Sequence, residues 1–458
     1  MPARHAGIFV SLVVLCGACS RPRAAPAEAI VTATPQSSPV AAAADAAPPA
    51  PKGPPKDLNV ILLSIDCLRA DMPWAGYPHP IAPRLTELEK RAVSYTRAYS
   101  LSSYTSMSLG GMLGGKLPSE MRRDGYFFST YPRDNVMFPE LIQAAGIHTM
   151  TAHAHGYFRS AGFDQGFDAY EMVPDLKWNP TTDENITSPQ LETIAERLLS
   201  DPRNDTSRFY AWFHFLDPHD QYLPHPDITP YGKTARARYD AEVTFTDGYI
   251  GKLLDFVASR PWAARTAIVV TADHGEAFGE HGELLHGFEV WQELVRIPLL
   301  FVVPGAAPRH IDEARSAVDF APTILDLLGV PRDSFRDAGD PGFEGVSLVP
   351  ELYGASAEAR DVVVDLPATS DNGPRRAMVH GHWKLISFDS DHYFQLYDLD
   401  ADPGEHKPIT RGDDYTEMRA RYRAYTKTLH EKPAYACGED CLNGGYRKAA
   451  AADAGIPE

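Results

Sequence analysis

The chain has 458 residues, 44 % of them hydrophobic and 10 % aromatic, which is ample material for a large core and for more than one lobe. Its formal net charge of −18 argues against polyanionic partners, because long-range attraction to DNA, RNA or an anionic membrane surface needs an excess of Lys and Arg. No nucleic-acid binding is expected, while a locally cationic metal pocket is compatible with that balance.

Met1-Pro-Ala-Arg-His precedes an apolar stretch from Ala6 to Ala18 that ends in a small residue, the layout of an export signal over residues 1–18. The stretch is too short to span a bilayer. Cys19, directly after Gly17-Ala18, resembles the lipid-attachment position of a bacterial lipoprotein, although Cys16 stands where Leu is usual; plain cleavage after Ala18 is the alternative. The expected location is therefore the periplasm or cell envelope, otherwise secretion, with membrane contact only through lipid on Cys19. Residues 19–56 are rich in Ala and Pro with few large apolar side chains, a composition that cannot offset its ordering entropy and reads as a linker.

The main domain is expected over residues 57–374. Asn59-Val-Ile-Leu-Leu-Ser-Ile reads as a short buried strand ending at Asp66, and Phe209-Tyr-Ala-Trp-Phe-His-Phe, the run from Thr266 and Ile297-Pro-Leu-Leu-Phe-Val-Val read as further strands. Leu85 to Ala92, Phe138 to Ala145 and Tyr249 to Val257 read as helices. This alternation implies an α/β fold with a mostly parallel sheet covered by helices on both faces. Near Arg376 the texture changes to hairpin-like segments, Ala377 to Ile386 and then Tyr393 to Leu399, so a smaller antiparallel C-terminal subdomain is expected over 375–432, followed by a tail, 433–458. In an exported protein, Cys437 and Cys441 around a short Gly-containing loop read as a disulfide. Cys67 reads as a buried small hydrophobe.

Asp66 ends one strand, and Asp273 and His274 leave another together, in Thr271-Ala-Asp-His-Gly-Glu276. Open α/β sheets gather ligands at the carboxyl ends of parallel strands, and an oxygen, oxygen, nitrogen donor set suits a divalent cation. Either acid alone reads more simply as a cap or turn former. The two with an imidazole favour a metal centre.

In order along the chain, Asn59 to Asp71, Tyr239 to Asp247, Asp273-His-Gly-Glu276, Arg296-Ile-Pro-Leu-Leu, Ala321 to Gly329 and Leu396-Tyr-Asp-Leu-Asp-Ala-Asp-Pro-Gly-Glu405 resemble landmarks of the sulfatase branch of the alkaline phosphatase superfamily. The resemblance runs from about Leu58 to His406. It implies an alkaline-phosphatase-like fold, an anionic ester substrate carrying sulfate or phosphate, and one divalent metal ion (Zn, Mn, Ca or Mg) held by Asp66, Thr105, Asp273 and His274.

One departure stands out. Sulfatases carry a Cys-x-Pro-Ser-Arg motif whose first residue becomes formylglycine, and the matching stretch here is Thr105-Ser106-Met107-Ser108-Leu109. Thr cannot become formylglycine, so none is expected. Relatives that act on phosphorus use Thr, which implies that Thr105 is a nucleophile attacking phosphate esters through a covalent intermediate; as a lone residue it would merely cap the helix that follows. The resemblance gives His219, in Phe213-His-Phe-Leu-Asp-Pro-His, and His286, in Leu285-His-Gly, to contact with the ester oxygens or to leaving-group protonation. His214, His153 and His155 are weaker candidates, and Asp217 with His219 and His286 could instead hold a second metal. The rival reading is a catalytically silent protein of the same fold, presenting an anion pocket on a lipid tether.

Overall fold

The computed structural model describes residues 53–177, 184–332 and 342–435. The export signal, Cys19, almost all of the linker and the Cys437 and Cys441 pair lie outside the described residues.

The described residues supply fifteen strands: β1 (Asn59–Ile65), β2 (Val93–Tyr99), β3 (His148–His153), β4 (Ala169–Met172), β5 (Phe209–Phe215), β6 (Thr266–Ala272), β7 (Ala277–Phe278), β8 (Leu284–Leu285), β9 (Arg296–Val302), β10 (Arg309–Ile311), β11 (Arg315–Ser316), β12 (Val362–Leu366), β13 (Arg375–His380), β14 (Trp383–Phe388) and β15 (Tyr393–Asp398). The central sheet has the order β10-β2-β9-β6-β1-β5-β3-β4, with β11 also on β2. All seven residues of β1 are buried, as a strand covered on both faces requires. β6, β1, β5, β3 and β4 run parallel, and only β9 runs against its neighbours.

Register, more than composition, builds the centre. Ile65 pairs with Ala272 on one side and Phe215 on the other, so these strands end at one level. Asp66 and Asp273 are the next residues on adjacent strands. The Asp66 amide extends the ladder by one bond, donating to Phe215 O at 2.8 Å.

Helices Thr105–Gly114, Phe138–Ala144 and Phe320–Leu328 pack together, and Pro83–Glu89, Ser188–Leu199 and Ala235–Ala258 form a second group. The apolar pattern places a helix over Tyr249 to Val257, and the family resemblance one over Tyr239 to Asp247; the two are parts of one helix that begins at Ala235. Its first half is rich in acids, which masks the apolar period. Those acids are buried and occupied: Asp247 accepts from the Arg84 and Leu85 amides at 2.8 Å each, capping the helix at Pro83 from outside.

The small antiparallel sheet has the order β12-β13-β14-β15, with helix Asp413–Thr426 packed on β14 and β15. Its first strand, β12, comes from before residue 375. The Asp365 amide ties that strand to Leu101 O at 2.7 Å.

Candidate active site

Asp66 (0 % exposed), Thr105 (4 %), Asp273 (2 %) and His274 (0 %) meet at the carboxyl ends of β1 and β6. Helix Thr105–Gly114 is buried along its whole length and brings its first residue to them. Thr105 does not cap that helix. Tyr104 occupies the cap position, and the Thr105 hydroxyl lies 3.0 Å from His274 Nε2 and 3.4 Å from Asp66 Oδ2. Such depth needs glycine: a Cβ on Gly110 would lie 2.2 Å from the Tyr131 ring, whose hydroxyl donates to Ser106 O at 2.9 Å. Met107 and Leu109, which stand in for Pro and Arg of the sulfatase motif, are fully buried packing residues.

Hydrogen bonding fixes the acceptor atoms. His274 Nδ1 lies 2.9 Å from Gly275 O and must donate to it, which leaves the Nε2 lone pair facing Thr105 and the two carboxylates. Gly275 is itself pinned, its amide donating to Leu294 O at 2.8 Å. Asp273 Oδ1 accepts from the His274 amide at 2.9 Å and the Cys67 amide at 3.3 Å, whereas its buried Oδ2 has no hydrogen-bond partner.

That unpartnered oxygen tests the donor set for a metal. Among the described residues neither Asp66 nor Asp273 pairs with Lys or Arg. Burial, and then the charge of Asp66, pushes Asp273 well above the usual carboxylate range. Burial also opposes ionisation of Asp66, but the His214 hydrogen bond and the charges of His219 and His274 outweigh it and hold that group well below the range. Two adjacent buried carboxylates, one with a bare oxygen, fit a divalent cation that lets both ionise.

His214, a weak candidate from sequence, proves to be central, fully buried against Asp66. Trp212 Nε1 can only donate, and it does so to Ser64 Oγ at 2.8 Å; the Ser64 hydroxyl then donates to His214 Nδ1 at 2.8 Å. His214 Nε2–H must therefore point at Asp66 Oδ2, 3.2 Å away, and it orients that carboxylate. The chain of donors was invisible in a strand that is apolar on both sides.

His219 and His286 also reach the centre. Their ring centroids are 5.1 Å apart, and that of His286 is 4.4 Å from that of His274. His286 Nδ1 lies 3.2 Å from Glu276 Oε1, and the Glu276 charge raises the imidazole pKa despite burial. Asp217 plays a different part: its carboxylate accepts from the Thr187 and Ser188 amides, at 2.6 and 2.8 Å, at the start of helix Ser188–Leu199. His153 is a core residue packed between Phe158 and Trp212. His155 accepts from the Tyr157 amide at 3.1 Å, and burial pushes its pKa down to about 3. Cys67 is buried as expected, but with φ of 58° and its Sγ 3.1 Å from Asp66 Oδ1 it is part of the centre.

The family model described as Sulfatase matches residues 58–330, well over half of the chain, and the N-sulphoglucosamine sulphohydrolase C-terminal model matches 279–432. The chain belongs to the sulfatase family. It is 24 % identical to choline-sulfatase of Rhizobium meliloti (strain 1021) over 429 residues, covering 76 % of this chain and 81 % of that one. The sulfatase fold is confirmed by solved structures. Phosphonate monoester hydrolase of Agrobacterium radiobacter superposes with a TM-score of 0.65 at 18 % identity, covering 81 % of this chain and 95 % of that one. A protein solved with its substrate D-glucosamine-2-N,6-O-disulfate gives a TM-score of 0.64 at 19 % identity, covering 86 % and 99 %. Sulfatase-family enzymes are metal dependent, and among the described residues Asp66 with Cys67 and His274, and Asp66 with His214 and Asp273, are groups whose ligand atoms lie close enough to hold an ion.

Proposed function

We propose that this sulfatase-family hydrolase is an exported phosphoric-ester hydrolase or phosphotransferase that uses Thr105 as its nucleophile. The observation that carries this reading is the Thr105 hydroxyl, turned away from its own helix and toward His274 Nε2 and Asp66 Oδ2. Its likeness in fold to a phosphonate monoester hydrolase supports phosphorus as the electrophile.

Asp66, Asp273 and His274, with Thr105, would hold the ion. When bound, a divalent cation lowers the pKa of a neighbouring hydroxyl and offsets charge on the ester. Thr105 Oγ1 would lose its proton to solvent and attack phosphorus, the bond to the leaving oxygen would break, and phosphothreonine would remain. His219 and His286 contact the ester oxygens, and one of them protonates the departing alkoxide. Water, or an acceptor alcohol, attacks phosphorus in the second step and frees Thr105.

The same arithmetic disfavours sulfate. A formylglycine hydrate expels sulfate with its second hydroxyl, whereas Thr105 carries a methyl group and a hydrogen there. A sulfated Thr105 has no such exit. The test is a paired assay of aryl phosphate, diaryl phosphate and aryl sulfate across Zn, Mn, Mg and Ca. Phosphate-ester turnover exceeding sulfate-ester turnover is expected; dominant sulfatase turnover in metal-replete protein would overturn the reading.

A further inference from the structure

The groups around Asp66 and Thr105 act on the acid half of an ester, and a separate surface lies ready for the alcohol half. A row of rings leads outward from the centre. The Tyr104 ring, one residue before Thr105, lies 6.2 Å from that of His286 at an interplanar angle of 26°, and Phe127 packs on Tyr104 at 3.8 Å. Phe288 continues the row, near-parallel to Phe127 at 5.8 Å, and is 42 % exposed. We infer that this row is the binding wall for the alcohol half of the substrate, and that this alcohol carries a flat, uncharged aromatic ring close to the ester oxygen. The inference rests on the proposed function for the ester centre and adds the class of alcohol that the centre takes.

Close approach builds the wall. His286 and Phe288 are joined by Gly287 at φ 96°, and a Cβ there would stand 3.0 Å from the Phe127 ring and 3.1 Å from the Tyr104 ring, so only glycine lets both neighbours stay with the row. Exposure then opens it to a ligand. Among the described residues seven large hydrophobic side chains are exposed, and four of them, Tyr126, Leu284, Leu285 and Phe288, stand in the two segments that supply this wall. Single exposed hydrophobics are ordinary, whereas a cluster that starts at a reaction centre and ends in solvent marks a ligand surface. The row also has an unmet polar end: the Tyr104 hydroxyl is buried without a hydrogen-bond partner, an orphan that a polar atom of a bound ester satisfies.

The chemistry of the wall selects among alcohols. A sugar needs hydrogen-bond partners along its length, and the side chains of Phe127, Leu285 and Phe288 offer only carbon. An alcohol with a second acid group needs a free cation. Arg375, paired with Glu289 next to Phe288, is already committed: its Nε donates to the Glu289 carboxylate at 2.9 and 3.0 Å, and an Nη donates to Asp389 at 3.0 Å. A neutral aromatic ring asks for neither. It stacks on ring faces and edges and gains more than an aliphatic group of equal area.

The experiment measures, by calorimetry on full-length, metal-replete Thr105→Ala protein, the binding of benzyl phosphate, cyclohexylmethyl phosphate and glucose 6-phosphate, which place three different rings on one CH2–O–P linkage. Inorganic phosphate, which reads the acid half alone, is the reference. Benzyl phosphate is expected to bind roughly three- to tenfold more tightly than cyclohexylmethyl phosphate, the margin of an aromatic pair over equal apolar area, and more tightly still than the sugar phosphate. Phe288→Leu keeps apolar area and removes the ring, so it should erase that margin. Tyr393→Ala, which removes an exposed ring of the small sheet, should keep it. Benzyl phosphate binding no more tightly than inorganic phosphate, a preference for the cyclohexylmethyl or sugar ester, or a margin that survives both Phe288→Leu and Phe288→Ala would overturn the inference. Sulfate esters of the same alcohols, assayed for turnover by the parent protein, separate the two readings: faster sulfate turnover would overturn phosphorus as the electrophile, while the benzyl margin stands or falls on its own.

Discussion

At the scale of single residues, the proposed roles separate the group that reacts, Thr105, from the groups that hold. Thr105→Ala should leave the fold and the metal content intact while activity drops by roughly three orders of magnitude, the usual cost of removing a nucleophile when binding and oxyanion contacts survive. Thr105→Ser should retain part of the rate. Near-parental turnover in Thr105→Ala would mean that water attacks directly. His214 acts through Asp66, so His214→Ala should weaken metal affinity by about 10–100-fold with every ligand still present, read by metal titration; unchanged affinity would reduce His214 to packing. The meeting of Asp66, Asp273 and His274 was legible in sequence because acids and an imidazole follow apolar strand runs. His214 was not, since its role depends on Trp212 and Ser64 from two adjacent strands. The strained Cys67 was not either, because backbone φ leaves no trace in composition.

At the scale of elements, the glycines of helix Thr105–Gly114 are spacing devices. Gly110→Ala would force a Cβ to within 2.2 Å of the Tyr131 ring, and overpacking of this kind costs about 1–3 kcal/mol. Lower stability in denaturant unfolding, with activity falling further than stability alone explains, is the expected outcome, because Tyr131 also fixes Ser106 O beside Thr105. A neutral Gly110→Ala would show that the helix can shift without cost. Strands β1, β5, β6 and β9 were legible from short apolar runs, to within two residues of their ends. The acid-rich half of helix Ala235–Ala258 was legible only through the family resemblance of Tyr239 to Asp247, since its buried carboxylates are satisfied by distant segments that no local pattern reveals. β12 escaped notice because it pairs with β13 only after an intervening loop.

At the scale of the whole molecule, two commitments meet. The export reading expects a mature chain that begins at a lipid-modified Cys19, and mass spectrometry of the native protein checks it; an unmodified later N-terminus would remove the anchor and leave export standing. The folded part makes a stronger demand, because it places Asp66 and Asp273 side by side with an unpartnered oxygen and, among the described residues, no Lys or Arg paired with either. Their mutual repulsion is a cost that folding bears until a cation relieves it. A cation that binds only the folded chain stabilises it by RT ln(1 + [L]/Kd), about 2.7 kcal/mol at a free concentration 100 times Kd. Chelation should therefore lower the Tm of the parent protein, and re-addition of metal should restore it. Asp66→Ala or Asp273→Ala should abolish that dependence and the bound metal together, because each removes an anionic ligand from one site. The sign of the effect on the metal-free protein is the sharper check: Asp273→Asn, which deletes the charge and keeps the shape, should make the metal-free protein more stable than its metal-free parent. If Asp273→Asn were less stable there, the two carboxylates would be tolerating one another for another reason, and the metal centre as drawn would be wrong.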